Sequence, residues 1–377
     1  MEKQQANPVS QIFQEDVRNT LKSIKVLAEQ IERCIEQHDP QVDELPIHNQ
    51  LLNTPSLNKK KLVIIVPVFN DWEALQKLIL LIDELICSKE VNINIFIVDD
   101  YSTKPVPDLL IHQKYCHIRE VNILRLRRNL GHQRAIAVGL SYVYYHLNCD
   151  FVVVMDGDGE DNPFEIERLL KTSEKIGNNT IIFAKRSKRS ESKTFKFFYL
   201  IYKQLYRLLT GREISVGNFS LLPATLLKNV VVISEIWNHY SSGIYRSRIP
   251  YLEINVPRAR RLAGQPKMNF VSLVTHGLSS IAVYGDIVGT RILLITTILL
   301  VFLLLILLSV LLIKLFTDWG IPGWATYVSG LLFISLFQLI LIGTVFSMII
   351  LSARNSFNII PGRDYKYYVD NILQLKS

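Results

Sequence analysis

Cysteine is scarce in this 377-residue chain: Cys34, Cys87, Cys116 and Cys149 lie far apart and form no CxxC pair. Neither a zinc site nor a disulfide framework is expected from that spacing. No nucleic-acid-binding motif occurs, and the formal charge of +8 suits anionic lipid headgroups or a phosphorylated substrate better than DNA. No apolar segment near the N-terminus has the form of a signal peptide.

Two stretches lack charge altogether. Ile292 to Ile313 is 22 residues without a charged side chain, and Trp319 to Ala353 is a second such run, broken early by Gly320, Pro322 and Gly323. The first, and the second over about Tyr327 to Leu351, are long enough to cross a hydrocarbon core as helices. The short connection containing Lys314 and Asp318 makes them a hairpin with both outer ends on one side. Arg291 precedes it and Arg354, Arg363 and Lys366 follow, so the positive-inside bias places the large N-terminal region and both termini in the cytoplasm.

Residues 1–60 read as a polar helical extension and linker. Val17, Leu21, Ile24, Ala28, Ile31 and Ile35 follow a 4-3-4-3-4 spacing, the seam of a helix that packs on another helix. Self-association into a homo-oligomer and docking onto the subunit's own body both satisfy it. From Lys61 onward, apolar strand-like runs (KLVIIVPVFN, INIFIVDDYS, VNILRLRRN, CDFVVVMDGDG) alternate with segments of helical period (ALQKLILLIDELI, HQRAIAVGLSYVYYHL). That alternation predicts βα units in a parallel sheet, with ligands collecting beyond the carboxyl ends of the strands. Lys185 to Arg212 carries nine basic residues against one glutamate, and its centre, Phe195 to Leu209, mixes Phe, Tyr and Leu with Lys196, Lys203 and Arg207. It reads either as a helix in the membrane interface or as one packed on the sheet with a charged outer face. Phe270 to Tyr284 is a second interfacial candidate that runs almost directly into the first span.

The apolar run Phe151 to Met155 ends in Asp156, Asp158, Glu160 and Asp161, like charges that need neutralising. Asp156-Gly157-Asp158 offers hard oxygens suited to Mg²⁺ or Mn²⁺ bridging the phosphates of a nucleotide. An EF-hand loop fits less well, because its sixth position, which needs glycine, is Asp161.

In the order and spacing of its motifs the chain resembles the family-2 glycosyltransferases with a GT-A fold, among them dolichyl-phosphate mannose synthase and bacterial polyprenyl-phosphate glucosyltransferases. PVFNDWE at 67–73 is similar to PxYNExE, VDDYS at 98–102 to DDxS, and NLGHQRAIAVG at 129–139 to NxGxxxAxxxG. DGDGEDNP at 156–163 stands where the family has DADLQxPP, KRSKR at 185–189 resembles RxxR, and RLAGQPKM at 261–268 resembles RxxGxSKY. The resemblance spans about residues 61–353 and lacks the QxxRW element of processive synthases.

The resemblance implies that Pro67, Asn70, Glu73, Asp99, Asp100, Asn129, Gly131 and His132 form the nucleotide-sugar pocket. Asp156 and Asp158 would engage the metal-bound diphosphate, with Glu160 adding charge to the metal shell. Arg186, Arg189, Arg261 and Lys267 would divide between donor diphosphate and acceptor phosphate. Pro266 replaces the usual serine beside Lys267, and VGNFSLLP at 216–223 has Asn218 and Ser220 where relatives carry an acid and an arginine. His239 and His276, single polar residues with no motif, read as core or interface histidines.

The expected organisation is an α/β GT-A domain over 61–265, an interfacial amphipathic helix over 266–290, two transmembrane helices over 291–353 and a cytosolic tail over 354–377. The expected activity is metal-assisted, inverting transfer of one hexosyl unit from a nucleotide sugar, UDP-linked by the resemblance, to polyprenyl phosphate at a bacterial inner membrane. Transfer to another lipid or surface glycan, and a non-catalytic scaffold or sugar-nucleotide sensor, are the competing readings.

Overall fold

The computed structural model describes residues 59–85, 91–186, 193–213, 217–265, 270–317, 321–355 and 359–376. The 17–35 seam, Arg189 and Lys267 lie outside the described residues. In chain order the principal elements are β1 (Lys60–Val68), α1 (Trp72–Leu85), β2 (Val91–Asp99), β3 (Ile118–Leu126), α2 (His132–His146), β4 (Phe151–Val154), α3 (Glu165–Lys175) and β5 (Ile181–Arg186). There follow α4 (Lys193–Thr210), β6 (Ser220–Pro223), α5 (Tyr240–Ser247), β7 (Tyr251–Val256), α6 (Phe270–Ala282), α7 (Gly285–Phe316), α8 (Trp324–Asn355) and β8 (Val369–Lys376). The strands form one sheet in the order β7-β5-β6-β4-β1-β2-β3-β8.

Successive side chains of a strand point to opposite faces, and β1 is apolar on both. Leu62, Ile64 and Val66 meet Leu75, Leu78, Ile79 and Ile82 of α1, with Ile166 and Leu169 of α3 in the same cluster. Val63 and Ile65 meet Ala135, Ile136, Val138 and Leu140 of α2 on the other face. Covering both faces is what makes these strands continuous apolar runs. At Gly139 a Cβ would come within 2.7 Å of Val98 Cγ2 and 3.0 Å of Ile65 Cγ2, so the absence of a side chain lets α2 lie close against β1 and β2.

β1 pairs in parallel with β2 and β4, and β2 in parallel with β3. All four therefore release their following loops at one edge of the sheet, and the candidate residues are carried there. β6 then runs antiparallel to both β4 and β5.

α7 spans 32 residues, about 48 Å at the helical rise, and α8 packs against it closely enough that a Cβ on Gly289 would meet Ile350 at 2.7 Å. Both helices are long and apolar enough to cross a membrane and keep most of their apolar side chains outward. They begin and end somewhat beyond the expected 291–353, and α7 runs through Lys314. α4 and α6 are tied to the base of the hairpin. Tyr202 donates to the Gly277 carbonyl at 3.2 Å, Arg291 donates to the Leu208 carbonyl at 2.7 Å, and Tyr206, Val283 and Tyr284 form a small buried cluster.

The segment 354–377 is not a tail. β8 pairs antiparallel with β3 over Glu120 to Leu126 and becomes the edge of the sheet. Tyr365 stacks on Tyr145 with centroids 5.6 Å apart and its hydroxyl lies 2.9 Å from His146 Nε2, while Arg127 N donates to the Tyr368 carbonyl at 2.9 Å. Pairing across some 250 residues leaves no local trace in the sequence, which is why a short polar-apolar terminus reads as unstructured. Both ends of the hairpin thus return to the same α/β body. Ile372 packs into the cluster under α2, whereas Leu373 is exposed. Ile372→Asp is expected to destabilise the fold by roughly 1–3 kcal/mol and Leu373→Asp to leave it nearly unchanged; thermal unfolding in detergent checks the difference.

Candidate active site

The loops beyond β1, β2 and β3 are stapled to one another. Asn70, in the left-handed region at φ 55°, accepts at Oδ1 from Thr103 N and Lys104 N, both at 2.9 Å, and its own N–H donates to Ser102 Oγ at 2.9 Å. Asparagine tolerates that backbone better than most side chains. Asp99 accepts from Ser102 N at 2.9 Å. Asp100 accepts from Leu130 N at 2.7 Å and Gly131 N at 2.8 Å, and Asn129 Nδ2 donates to its carbonyl at 3.2 Å. Burial raises the Asp100 pKa against the lowering effect of those two N–H groups. Pro67 is buried in β1 opposite Val98. These contacts fix the loops that leave the sheet at this edge.

Glu73 does not join them. It projects from the first turn of α1 into solvent and pairs with Lys77 one turn on, at 2.8 Å. Its neighbour Asp71 precedes the helix, stays in the loop and forms an ion pair with Arg261. The acid directly after the asparagine in the PxYNExE-like element was the available signal.

The carboxylates after β4 are answered one by one. Asp161, buried, accepts from Asp156 N at 2.9 Å. Asp158 accepts at Oδ1 from Glu160 N at 2.9 Å and at Oδ2 from Arg261 Nη1 at 2.8 Å. Glu160 pairs with Arg258. Asp156 Oδ1 lies 3.0 Å from His132 Nε2. The segment that follows β7 runs along this acidic loop, with Leu262 N donating to the Asp158 carbonyl at 3.0 Å and Ala259 N to that of Glu160 at 3.1 Å. Gly159 sits at φ 81°, and a Cβ there would come within 2.4 Å of Leu262. Arg258 was missed by sequence reasoning because it falls three residues before the recognised motif. Arg186 ends β5 in register with Val256, on the strand that leads into this segment.

Beside Asp156 the structure gathers groups far apart in sequence. His132 Nε2 is 3.0 Å from Asn218 Nδ2, Gln133 Nε2 donates to Asn218 Oδ1 at 3.2 Å, and Tyr240 N donates to Gln133 Oε1 at 2.6 Å. Desolvation opposes charge on His132, yet the Asp156, Asp161 and Asp100 carboxylates together raise its pKa. His239 caps α5 by accepting from Ser242 N at 3.4 Å, and its ring centroid lies 4.7 Å from that of His276 on α6. Burial, then His276 and His132, push the His239 pKa down to about 3; burial and His132 likewise lower that of His276. Ser220, where the resemblance leads one to expect an arginine, is buried against the Tyr240 hydroxyl at 2.8 Å.

Among the described residues no three His, Cys, Asp or Glu side chains form a ready metal cage. A divalent ion on a nucleotide keeps waters and phosphate oxygens and needs only one or two carboxylates. Asp156 fits that demand; Asp158 fits once Arg261 is released; Glu160, expected in the metal shell, is turned to Arg258 instead.

The model of the family described as "Glycosyl transferase family 2" matches residues 63–232. An undecaprenyl-phosphate 4-deoxy-4-formamido-L-arabinose transferase of Photorhabdus laumondii is 26% identical over 259 residues, 64% of this chain and 77% of that protein. The uncharacterized glycosyltransferase YkcC of Bacillus subtilis is 27% identical over 302 residues, 75% of this chain and 86% of that protein. Among solved structures, glucosyl-3-phosphoglycerate synthase from Mycobacterium tuberculosis, in complex with Mn²⁺, UDP-glucose and phosphoglyceric acid, superposes with a TM-score of 0.44 at 15% identity, covering 61% of this chain and 80% of that one.

The His239 shift has a defined sign. With a folded pKa of about 3 against 6.5 in the unfolded chain, the unfolded state binds the extra proton, so the stability present above pH 6.5 is lost as pH falls toward 3. At pH 5 the loss is on the order of 2 kcal/mol. His239→Asn keeps a capping acceptor and is expected to shrink the fall in unfolding temperature between pH 7.5 and 5; an equal fall would refute the assignment.

Proposed function

Because residues 63–232 make this chain a family-2 glycosyltransferase, related to polyprenyl-phosphate sugar transferases, we propose that it moves one sugar unit from a nucleotide sugar to polyprenyl phosphate at the cytoplasmic membrane face. One observation carries this reading. His276, on the helix that leads into the apolar hairpin, stacks edge-on against His239 beside His132, which touches Asp156. The donor carboxylate and the membrane-proximal helix therefore border the same space, and an acceptor whose tail stays in lipid can bring its headgroup there. The Photorhabdus relative's name supplies the acceptor class.

The loops held by Asn70, Asp99, Asp100 and Asn129 would floor the nucleotide pocket, with UDP the preferred nucleotide. Arg261, now shared between Asp71 and Asp158, holds a place that the donor diphosphate takes over. On donor binding its guanidinium turns to the phosphates and neutralises the charge that develops on the leaving nucleoside diphosphate. Mg²⁺ or Mn²⁺, held through Asp156 and the freed Asp158, would supply further positive charge to that diphosphate. Arg186, Arg189 and Lys267 are assigned to the acceptor phosphate.

The acceptor oxygen is ionised near neutral pH, attacks the anomeric carbon from the face opposite the leaving group and inverts it, without a strong base. Asn218 at the position of the relatives' acid suits such an acceptor; a hydroxyl acceptor would need a base there. Orientation and fixed charge supply most of the acceleration. Arg291, Arg354 and Arg363 at the hairpin ends, together with β8 in the sheet, support a hairpin whose two ends share the cytoplasmic side.

Mass spectrometry of products from purified protein, short polyprenyl phosphate, a divalent metal and a panel of nucleotide sugars tests the proposal. A single sugar on the lipid phosphate, absent when polyprenol replaces it, is expected; transfer to polyprenol alone, or no lipid product beside donor hydrolysis, contradicts it. Asp158→Asn is expected to lower turnover at least ~100-fold while membrane insertion is unaffected, measured at saturating substrate and matched metal.

A further inference from the structure

Only Val283 and Tyr284 separate α6 from α7, and one side chain holds both halves of that elbow. Arg246, near the end of α5, donates through Nη1 to the Val283 carbonyl, just past the last residue of α6. Through Nη2 it donates to Asp286, in the first turn of α7, at 3.0 Å. Its Nε lies 3.5 Å from Glu235 Oε1, in the turn before α5. The signs suit the helix ends, with a cation at the carbonyl end of α6 and an acid at the amide end of α7. One turn back along α5, Ser242 repeats the link. Its hydroxyl lies 2.8 Å from that of Ser280 on α6, which donates to the Tyr206 hydroxyl of α4 at 3.1 Å, and its carbonyl accepts from the Tyr284 hydroxyl at 3.4 Å. Arg291, further along α7, reaches the Leu208 carbonyl past Gly211, where a Cβ would come within 2.6 Å of its Nη2.

The other end of α5 belongs to the donor side. Tyr240 N donates to Gln133 Oε1, and Gln133 follows His132, which touches Asp156. A helix of eight residues, about 12 Å long, thus joins the acidic loop to the elbow. Apolar contact has no direction of its own, and the buried apolar cluster at the elbow is small, formed around Tyr206, Val283 and Tyr284. The angle is therefore set by the hydrogen bonds, above all by the rigid planar fork of Arg246.

We propose that Arg246 is a positioning residue that sets the height and tilt of the acidic loop over the bilayer, so that a lipid-borne phosphate meets the donor in register. The inference rests on the lipid-acceptor reading and adds to it the device that aligns the two substrates. The α/β body fixes the place of the donor, whereas the membrane that holds its tail fixes the place of the acceptor. The elbow joins these two frames. A tilt of about 5° there carries the far end of α7 by about 4 Å, and a misplacement of about 1 Å between reactants already costs about 100-fold in rate.

Transfer to one long-chain polyprenyl phosphate, measured with the full chain in lipid nanodiscs and again in detergent micelles, tests the proposal, because a micelle has no plane that fixes the acceptor. Arg246→Gln is expected to lower kcat/KM for the acceptor at least ~10-fold in nanodiscs and to leave it, and the donor KM, within about 2-fold of wild type in micelles. Arg246→Lys, which keeps the charge without the fork, is expected to fall between the two. Asp286→Asn spares the bond to Val283 and keeps the test open if Arg246→Gln does not fold. It is expected to show the same split at smaller size and to add little to Arg246→Gln in the double variant. A loss of equal size in both media, a loss carried by the donor KM, or no loss in either variant overturns the positioning role and leaves the lipid-acceptor reading standing. Wild-type protein that transfers no sugar to polyprenyl phosphate in either medium overturns both.

Discussion

Like charges crowded at the end of a buried strand govern this molecule. β4 delivers Asp156, Asp158, Glu160 and Asp161 to one loop, and four carboxylates cannot remain ionised together without compensation from elsewhere. The compensation comes from three directions: Arg261 and Arg258 from the segment after β7, His132 from the start of α2, and backbone N–H groups within the loop. Because those partners sit on different elements, the charge cluster draws the sheet, the loop and the segment leading to the long apolar helices into one site. A diphosphate and a divalent ion carry the opposite charges of Arg261 and Asp158, so substrate can enter by exchanging partners instead of adding net charge.

The two long apolar helices extend the same arrangement. α6 and α7 are continuous but for a short turn, and Arg246 pairs with Asp286 at 3.0 Å at that turn. At the other end of the hairpin the chain returns through Tyr365 into β8. The two apolar helices are thus clamped to the α/β body at both ends. Leu205 and Leu208 of α4 and Val274 and Leu278 of α6 are exposed, on the two helices tied to the hairpin base.

Much of this was legible in the residues. The βα alternation through β4, the two long helices and the helical character of α4 and α6 follow from apolar period and length, which are local properties. β8 was not, because its partner β3 lies at the far end of the body and only tertiary contact specifies the pairing. Motif order located the acidic loop and the stapling residues Asn70, Asp99, Asp100 and Asn129. It misassigned Glu73, whose place on the first turn of α1 turns it outward, in favour of Asp71, which stays in the loop. It placed Glu160 on a metal because Arg258 carries no motif. The grouping of His132, His239 and His276 had no trace in sequence, since each comes from a different helix start or face and none is near another along the chain.

The direct test of charge exchange is a structure of the full chain in a lipid nanodisc with UDP and Mn²⁺ bound. The account predicts that the Arg261 guanidinium has left Asp158 and Asp71 and contacts the diphosphate, with Asp156 on the ion. A diphosphate bound while the Arg261 pairs to Asp158 and Asp71 remain intact would contradict it.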